Sequence, residues 1–575
     1  MATKTKLELT WIGKDHVSKI EPRILIEDTE ISYHASKRYG EDDLFDNKLI
    51  FGDNLLALKA LEQDYLGQVK CVYIDPPYNT GSAFEHYDDG VEHSQWLSLM
   101  KERLVIIKNL LREDGVLFCS IDDSEFSYLS ILMDEIFGRK NSCGVFIWEK
   151  KKKPSFLNAS MGVVTEYILA YAKNRPLSPP FVSGVTTVGK KYPLNNAGNS
   201  LGVLTFPAGK VIFKCPDQIF KPQDMSEGNI KTSLLDKLEV KNGRNLNEFR
   251  LEGEWRYSQK TLNEILLTNE QIVISKSPFR PNHIKDGGEP KKIKNLLTVA
   301  HFGMSTYEDA TAESEALFGS ANSFDYPKPE LLISTLIQTV TKKGDIVLDS
   351  FAGSGTTAAV AHKLLRRWIT IEMGEHCHTH IIPRLKKVID GKDKGGITEM
   401  TDWKGGGGFR YYKIAPSLLE KDKWNNWIIN KSYNSNMLAA AVCKHEGFTY
   451  SPSDTDWWSH GYSTETDFIY VTTQTLTEEY LLALSEEVGK NKTLLIYCSA
   501  FKLNANILNE QLTNLTIKKI PNSLLLKCEW ENDDYKLNIS NLPIIETEEK
   551  TEAISKKNNL KKEYDLFSKN NEAEQ

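Results

Sequence analysis

Two buried strands joined by an amphipathic helix constrain this chain more than any other feature in it. Val69-Lys-Cys-Val-Tyr-Ile74 is β-branched and apolar, has the length of a strand covered on both faces, and stops at Asp75-Pro76-Pro77. Leu97, Met100, Leu104, Ile107 and Leu111 share one helical face, and Gly115 is placed to close that helix. Val116-Leu-Phe-Cys-Ser-Ile121 then reads as a second buried strand ending at Asp122 and Asp123. Leu129, Leu132, Met133 and Ile136 mark the next amphipathic helix. A long helical crossover between two such strands implies a parallel sheet with helices on its faces, since antiparallel neighbours need only a hairpin.

The same pattern returns far along the chain. A helix starts at Pro329, and a strand follows at Ile346-Val-Leu348. Then come the loop Asp349-Ser-Phe-Ala-Gly-Ser-Gly-Thr-Thr357, a helix through Arg367 and a strand Trp368-Ile-Thr-Ile371. Between the two units, from the lysine run Lys150–Lys153 to about Asn322, periodicity weakens while Gly, Pro, Asn and Lys become frequent. Residues 151–300 hold 23 Lys and Arg against 13 Asp and Glu, a net +10 inside a chain whose formal net charge is −7. Such segregation suits a local phosphate-tracking surface, and the overall acidity excludes indiscriminate coating of nucleic acid. A chain of 575 residues has room for about three to four domains. With 40% hydrophobic residues and no run of eighteen apolar ones, it is neither wholly disordered nor built to span a membrane by helices. Eight cysteines without a C-x-x-C pair, behind a polar N-terminus, suit the reducing cytoplasm.

Ligands of open α/β sheets bind beyond the carboxyl ends of the strands, where both special loops sit. In the later loop, Phe351, Gly353 and Gly355 precede a helix whose first free N–H groups favour an anionic group. Glu372 follows seventeen residues after Gly355, where a carboxylate can accept from ribose hydroxyls. Taken alone this loop also fits a dinucleotide fingerprint, with Ala358 as the third small residue. No lysine follows the glycines, so it is not a P-loop. The earlier loop, Asp75-Pro76-Pro77-Tyr78, narrows the choice. Its prolines rigidify the turn and fix a carboxylate, a carbonyl and an aromatic ring around one pocket. An exocyclic amine offers two N–H donors. Accepting both, from Asp75 and the Pro76 carbonyl, pushes the nitrogen towards a nucleophilic geometry. Tyr78 can stack on the base for ~1–3 kcal/mol, offsetting part of the few kcal/mol that extrusion from the duplex costs.

These two motifs together resemble the S-adenosylmethionine-dependent amino-methyltransferases of DNA, in the β-class order with the Asp75 motif first. Phe324-Asp-Tyr-Pro-Lys-Pro329 resembles the family segment that closes over the cofactor, and Asp53 in Phe51-Gly-Asp-Asn-Leu55 the position near its adenine. The segments Lys6–Lys14, Phe409–Lys413, Ser463–Gln474 and Thr516–Pro521 are similar to the Mod subunit of type III restriction–modification systems. The resemblance implies a doubly wound, Rossmann-like methyltransferase core in permuted order, with an inserted target-recognition domain and a C-terminal α+β domain. In numbers, 1–46 would be an N-terminal arm, 47–150 the catalytic half and 151–320 the DNA-binding insert. Residues 321–400 would be the cofactor half, 401–545 the C-terminal domain and 546–575 a charged tail.

It also implies N6 methylation of a flipped adenine in double-stranded DNA, by a cytoplasmic homodimer that serves a separate helicase–nuclease subunit. Asp75, Pro76, Pro77 and Tyr78 would be catalytic. Asp53, Asp349, Phe351, Gly353, Gly355, Glu372 and Lys328 would hold S-adenosylmethionine. Lys150, Lys151, Lys152, Lys153, Trp255, Arg256 and Arg280 would meet DNA, and no metal is called for. An orphan adenine methyltransferase and a catalytically silent DNA-recognition module are the competing readings. His376, His378 and His380 with Cys377 offer a zinc-like grouping, but no fourth ligand stands at a compact spacing.

Overall fold

The structure, a computed structural model, describes residues 8–78, 93–153, 161–185, 189–268, 270–285, 288, 290–502, 511–533 and 535. Its centre is a large sheet. From one edge the order is Leu25–Glu27, Gly408–Ile414, Asn47–Phe51, Arg367–Glu372 and Ile346–Asp349, then Val69–Ile74, Leu111–Ile121, Thr165–Ala172, Ser142–Glu149 and Leu296–Leu297. From Gly408–Ile414 across to Leu111–Ile121 every neighbouring pair is parallel. Thr165–Ala172 is antiparallel to both of its neighbours.

Every residue of Val69–Ile74 and of Ile346–Asp349 is buried, as a strand covered on both faces requires. Cys71 and Tyr73 point into a core shared with Leu332, Leu336 and Ile337 of the helix Glu330–Val340. Val72 and Ile74 point the other way, onto Leu97, Met100 and Leu104 of the helix His93–Leu110. Each fully buried Leu or Ile contributes about 1.5–3 kcal/mol, so the two layers clamp these strands from both sides. After Val69–Ile74 the chain winds to one side of the sheet, and after Ile346–Asp349 to the other. Their carboxyl ends therefore flank a topological switch point.

Several expectations are corrected. Gly115 does not close the helix, which ends at Leu110 and passes directly into the strand Leu111–Ile121. A Cβ at Gly115 would lie 2.9 Å from the Val69 carbonyl, so glycine is there to let two strands approach at a register shift. The insert does not begin at 151, because Thr165–Ala172 completes the central sheet and Leu296–Leu297 returns to its edge. Nor does the core end at 400. Gly408–Ile414 lies between Asn47–Phe51 and Leu25–Glu27, the latter drawn from the N-terminal arm.

Among the described residues of 182–292 the insert is all β apart from the helix Gln259–Leu266, built on a four-stranded and a seven-stranded sheet around a core with Phe206, Phe213, Phe249 and Phe279. The C-terminal body has a five-stranded sheet whose last three strands, Asp467–Val471, Thr493–Cys498 and Leu515–Lys519, run parallel beside the helices Ser435–Glu446 and Glu478–Val488. Among the described residues no helix is long and apolar enough to cross a membrane. The tail expected at 546–575 lies outside the described residues.

Candidate active site

A cavity of about 670 Å³ opens at the switch point. Its walls include Asp75–Tyr78 from one strand end, Asp349 and Phe351–Ser354 from the other, and residues 321–328 arching between them. Both loops sit there for the same reason: a buried parallel strand must end before its chain can reach solvent and turn. Pro76 and Pro77 end one of these strands, and Gly355 ends the loop after the other. Gly355 has φ +75°, and its missing Cβ would stand 3.0 Å from Ile381 Cγ2. Conformation and space both require glycine there, at the cap of the helix Thr356–Lys363.

The carboxylate of Asp75 is held by a dense network. Lys328 Nζ donates to Asp75 Oδ1 at 2.9 Å and Oδ2 at 2.7 Å, to the Tyr78 hydroxyl at 2.8 Å and to the Tyr307 hydroxyl at 2.9 Å. Tyr78 OH donates to Asp75 Oδ1 at 2.7 Å and lies 3.2 Å from Glu166 Oε2. Tyr307 OH donates to Glu166 at 3.0 Å, and Lys150 Nζ reaches Glu166 Oε1 at 3.2 Å. Burial alone would strip the Lys328 ammonium of its proton, but the Asp75 and Glu166 carboxylates more than offset this and hold it charged. Burial, and then the same two carboxylates, push the Tyr78 and Tyr307 hydroxyls well above the usual phenol range.

At the other end the Asp349 carboxyl accepts the Phe351 N–H at 2.9 Å, yet burial, with Asp75 and Glu372 nearby, pushes its pKa up to about 7. Glu372 behaves oppositely. Burial works against its charge, but His376 and the N–H groups of Gly353 and Gly374 hold it below the ordinary value. Behind the loop, Arg384 donates to the Ser354 carbonyl, Thr356 Oγ1 and Glu330 Oε1, and Lys363 joins Glu330 to Asp393. Thr356 in turn donates to the Lys328 carbonyl at 3.0 Å, so one buried ionic cluster ties the glycine loop to the arching segment.

Of the residues singled out in the sequence, Asp75, Pro76, Pro77, Tyr78, Asp349, Phe351, Gly353, Lys328, Lys150 and Lys151 line this one cavity. Lys328, expected to hold S-adenosylmethionine, has its ammonium on Asp75. Asp53, Gly355 and Glu372 are not among the lining residues. Asp53 caps the helix Asn54–Tyr65 and faces Arg103, while Glu372 braces the glycine loop through the Gly353 N–H. The expected DNA contacts divide. Lys150 is spent on Glu166, Lys152 pairs with Asp309 at 2.7 Å, and Lys153 is exposed. Trp255 is corrected: it is a core residue of the insert, its indole donating to the Gly202 carbonyl, so it has no face to offer a base. Arg280 is half-buried, its guanidinium donating to the carbonyls of Met225, Glu227 and Phe279. Arg256 is exposed, with one bond to Asn196.

The zinc-like histidines disperse, His376 to Glu372, His378 to Tyr411 and His380 to the Asn322 carbonyl. Sequence reading missed Glu166 and Tyr307. A glutamate opening the apolar run Tyr167–Ala172 was the signal for the first, and nothing local marked the second.

The sequence model of the N6_N4_Mtase family, described as DNA methylase, matches residues 69–383, more than half of the chain, and the chain belongs to this family. It is 33% identical over 425 residues to the probable type III restriction-modification enzyme HindVI Mod subunit of Haemophilus influenzae, covering 66% of this chain and 55% of that one. To the EcoPI Mod subunit of Escherichia phage P1 it is 30% identical over 413 residues, covering 63% and 62%. To the EcoP15I Mod subunit of Escherichia coli it is 26% identical over 604 residues, covering 90% of each. The chain thus spans little more than half the length of the first of these relatives.

Proposed function

We propose that this chain is a site-specific DNA methyltransferase that moves a methyl group from S-adenosylmethionine to N6 of a flipped adenine in double-stranded DNA. We further infer that it is the modification and specificity subunit of a type III restriction–modification system. The observation that carries the first part is that Asp75–Tyr78 and the glycine loop Phe351–Ser354 wall one cavity. The residues suit the methyl donor. The cavity is lined by a buried carboxyl, Asp349, whose pKa of about 7 leaves it ready to ionise beside a cation. Ser323 Oγ, buried in the cavity wall, has no hydrogen-bond partner among the described residues. The donor supplies an electrophilic methyl on a sulfonium.

The chain's residues do the rest. Asp75 and the Pro76 carbonyl accept the two N–H groups of the adenine amine, and Tyr78 stacks on the ring. Phe351, Gly353 and Gly355 shape the donor's seat, with Asp349 as counter-charge, and Glu372 holds the loop in place. Much of the rate then comes from keeping nucleophile and methyl in line. An aspartate in first place favours adenine over the cytosine amine. The basic insert reads the site, with Arg256 and Lys153 free to meet phosphate or base edges. Kinship with the Mod subunits supports the subunit assignment. The cytoplasmic homodimer and the separate restriction subunit are part of the same reading and rest on that resemblance.

The test is single-molecule sequencing of genomic DNA from a naive host expressing this chain, beside its Asp75→Ala counterpart. N6-methyladenine in one non-palindromic motif, present only with the parent, is the expected result. A palindromic motif would favour an orphan methyltransferase. Unmodified DNA from a folded, donor-binding parent would sink the reading of the chain as an enzyme active by itself.

A further inference from the structure

The ammonium of Lys328 sits where the proposed reaction needs another nitrogen. It presents N–H donors to both oxygens of Asp75, at 2.9 and 2.7 Å, and lies 5.0 Å from the centre of the Tyr78 ring. Those are the two contacts that a target amine and its ring would make. The lysine is buried, with four oxygens within 2.9 Å, so it fills the seat and does not brush its rim. A base amine cannot donate to the same oxygens while it remains.

A second berth is already built. Glu166 Oε2 lies 3.5 Å from Nζ, and Tyr307 OH, which Lys328 already contacts, donates to both oxygens of Glu166. Lys150 is the other cation on Glu166, bound through Oε1, which leaves Oε2 facing Lys328. A shift of about one ångström in Nζ would therefore keep the ammonium paired, on Glu166, and leave the part-exposed Asp75 carboxylate to the Tyr78 hydroxyl and the N–H groups of the entering amine.

We propose that Lys328 is a removable occupant of the acceptor-amine seat, held on Asp75 in the resting protein and passed to Glu166 when a base enters. Lys328 and Glu166 are then positioning residues that set how readily the base inserts. The inference rests on the reading of Asp75 as the acceptor of the amine protons.

The test uses the full chain and a duplex carrying the motif found by sequencing, with adenine at the target and 2-aminopurine as its stacked neighbour, and a matching duplex with an abasic target. Lys328→Met keeps the volume and removes the competitor. It should brighten the probe and tighten the intact duplex by about tenfold, the worth of one charge-assisted hydrogen bond, while leaving the abasic duplex unchanged. Glu166→Gln removes the second berth and should do the reverse, dimming the probe and weakening only the intact duplex. A shared folding defect cannot give effects of opposite sign. Equal or weaker insertion in Lys328→Met would overturn the proposal, as would an equal loss on both duplexes in the two variants. If the parent protein neither methylates adenine nor brightens the probe, the functional reading itself falls, and this inference with it.

Discussion

Replacing Asp349 by Asn should remove a pH dependence of stability whose size can be worked out from the site. The carboxyl ordinarily titrates near 3.8, and in the folded protein burial pushes it to about 7. The folded state therefore binds the proton more tightly than the unfolded chain. Its contribution to stability is complete below pH 3.8 and is lost as pH rises to about 7. At about 1.4 kcal/mol per pH unit the whole span is worth ~4 kcal/mol, of which ~3 kcal/mol falls between pH 5 and pH 8. Asparagine at 349 can still accept the Phe351 N–H and is neutral at every pH, like the protonated acid. Urea unfolding, followed through the buried Trp96, Trp148 and Trp368, should show the parent losing ~3 kcal/mol more than Asp349→Asn between pH 5 and pH 8.

The half-buried Glu313, also raised to about 7 by burial and then by Glu330, titrates in both proteins and cancels in the comparison. The same carboxyl should matter to a cationic donor, which favours its ionised form. Below pH 7 the parent's affinity for S-adenosylmethionine should fall by up to about tenfold per pH unit, with proton release on binding. The variant should bind more weakly and without that slope. Parallel pH profiles of stability in the two proteins would refute the reasoning.

Asp75→Asn keeps the shape of the loop but turns an acceptor into a partial donor. Methyl transfer should fall by about 10²–10³-fold or more, with DNA affinity within a few-fold; equal losses in both would make the residue structural. Gly355→Ala places a Cβ 3.0 Å from Ile381 at φ +75° and should cost about 1–2 kcal/mol for the left-handed backbone alone, seen as a lower melting temperature and weaker donor binding. An unchanged melting temperature would mean that the loop is not held as described. Arg384→Met leaves the buried Glu330 with Lys363 as its remaining cation and should destabilise by about 3–5 kcal/mol. If the cluster is one unit, Glu330→Gln added to it should restore part of that loss in a double-mutant cycle.

What could be read from the sequence follows from how locally each feature is determined. The strands Val69–Ile74 and Ile346–Asp349 announce themselves, because burial on both faces leaves an unbroken apolar run, and their terminating loops come directly after them. The cavity-lining residues Asp75, Tyr78, Phe351 and Gly353 were legible for that reason. Thr165–Ala172 was not assigned to the sheet. It pairs with Leu111–Ile121 and Ser142–Glu149, and a partner chosen across so many residues leaves no mark on spacing. Trp255 was misplaced for a related reason, since an aromatic in a basic, weakly periodic segment looks alike whether it faces solvent or closes a β core.

Lys328 is the most instructive case. Its neighbours Phe324–Pro329 were read as a cover for the donor, and that segment does line the cavity. Yet its ammonium is drawn to the other end, because Asp75 and Glu166 are the carboxylates within reach of Nζ. One of these comes from a strand end and the other from a strand that sequence had assigned to a different domain. Site chemistry borne by a single loop can be read in advance, whereas chemistry made where four distant segments meet needs the fold.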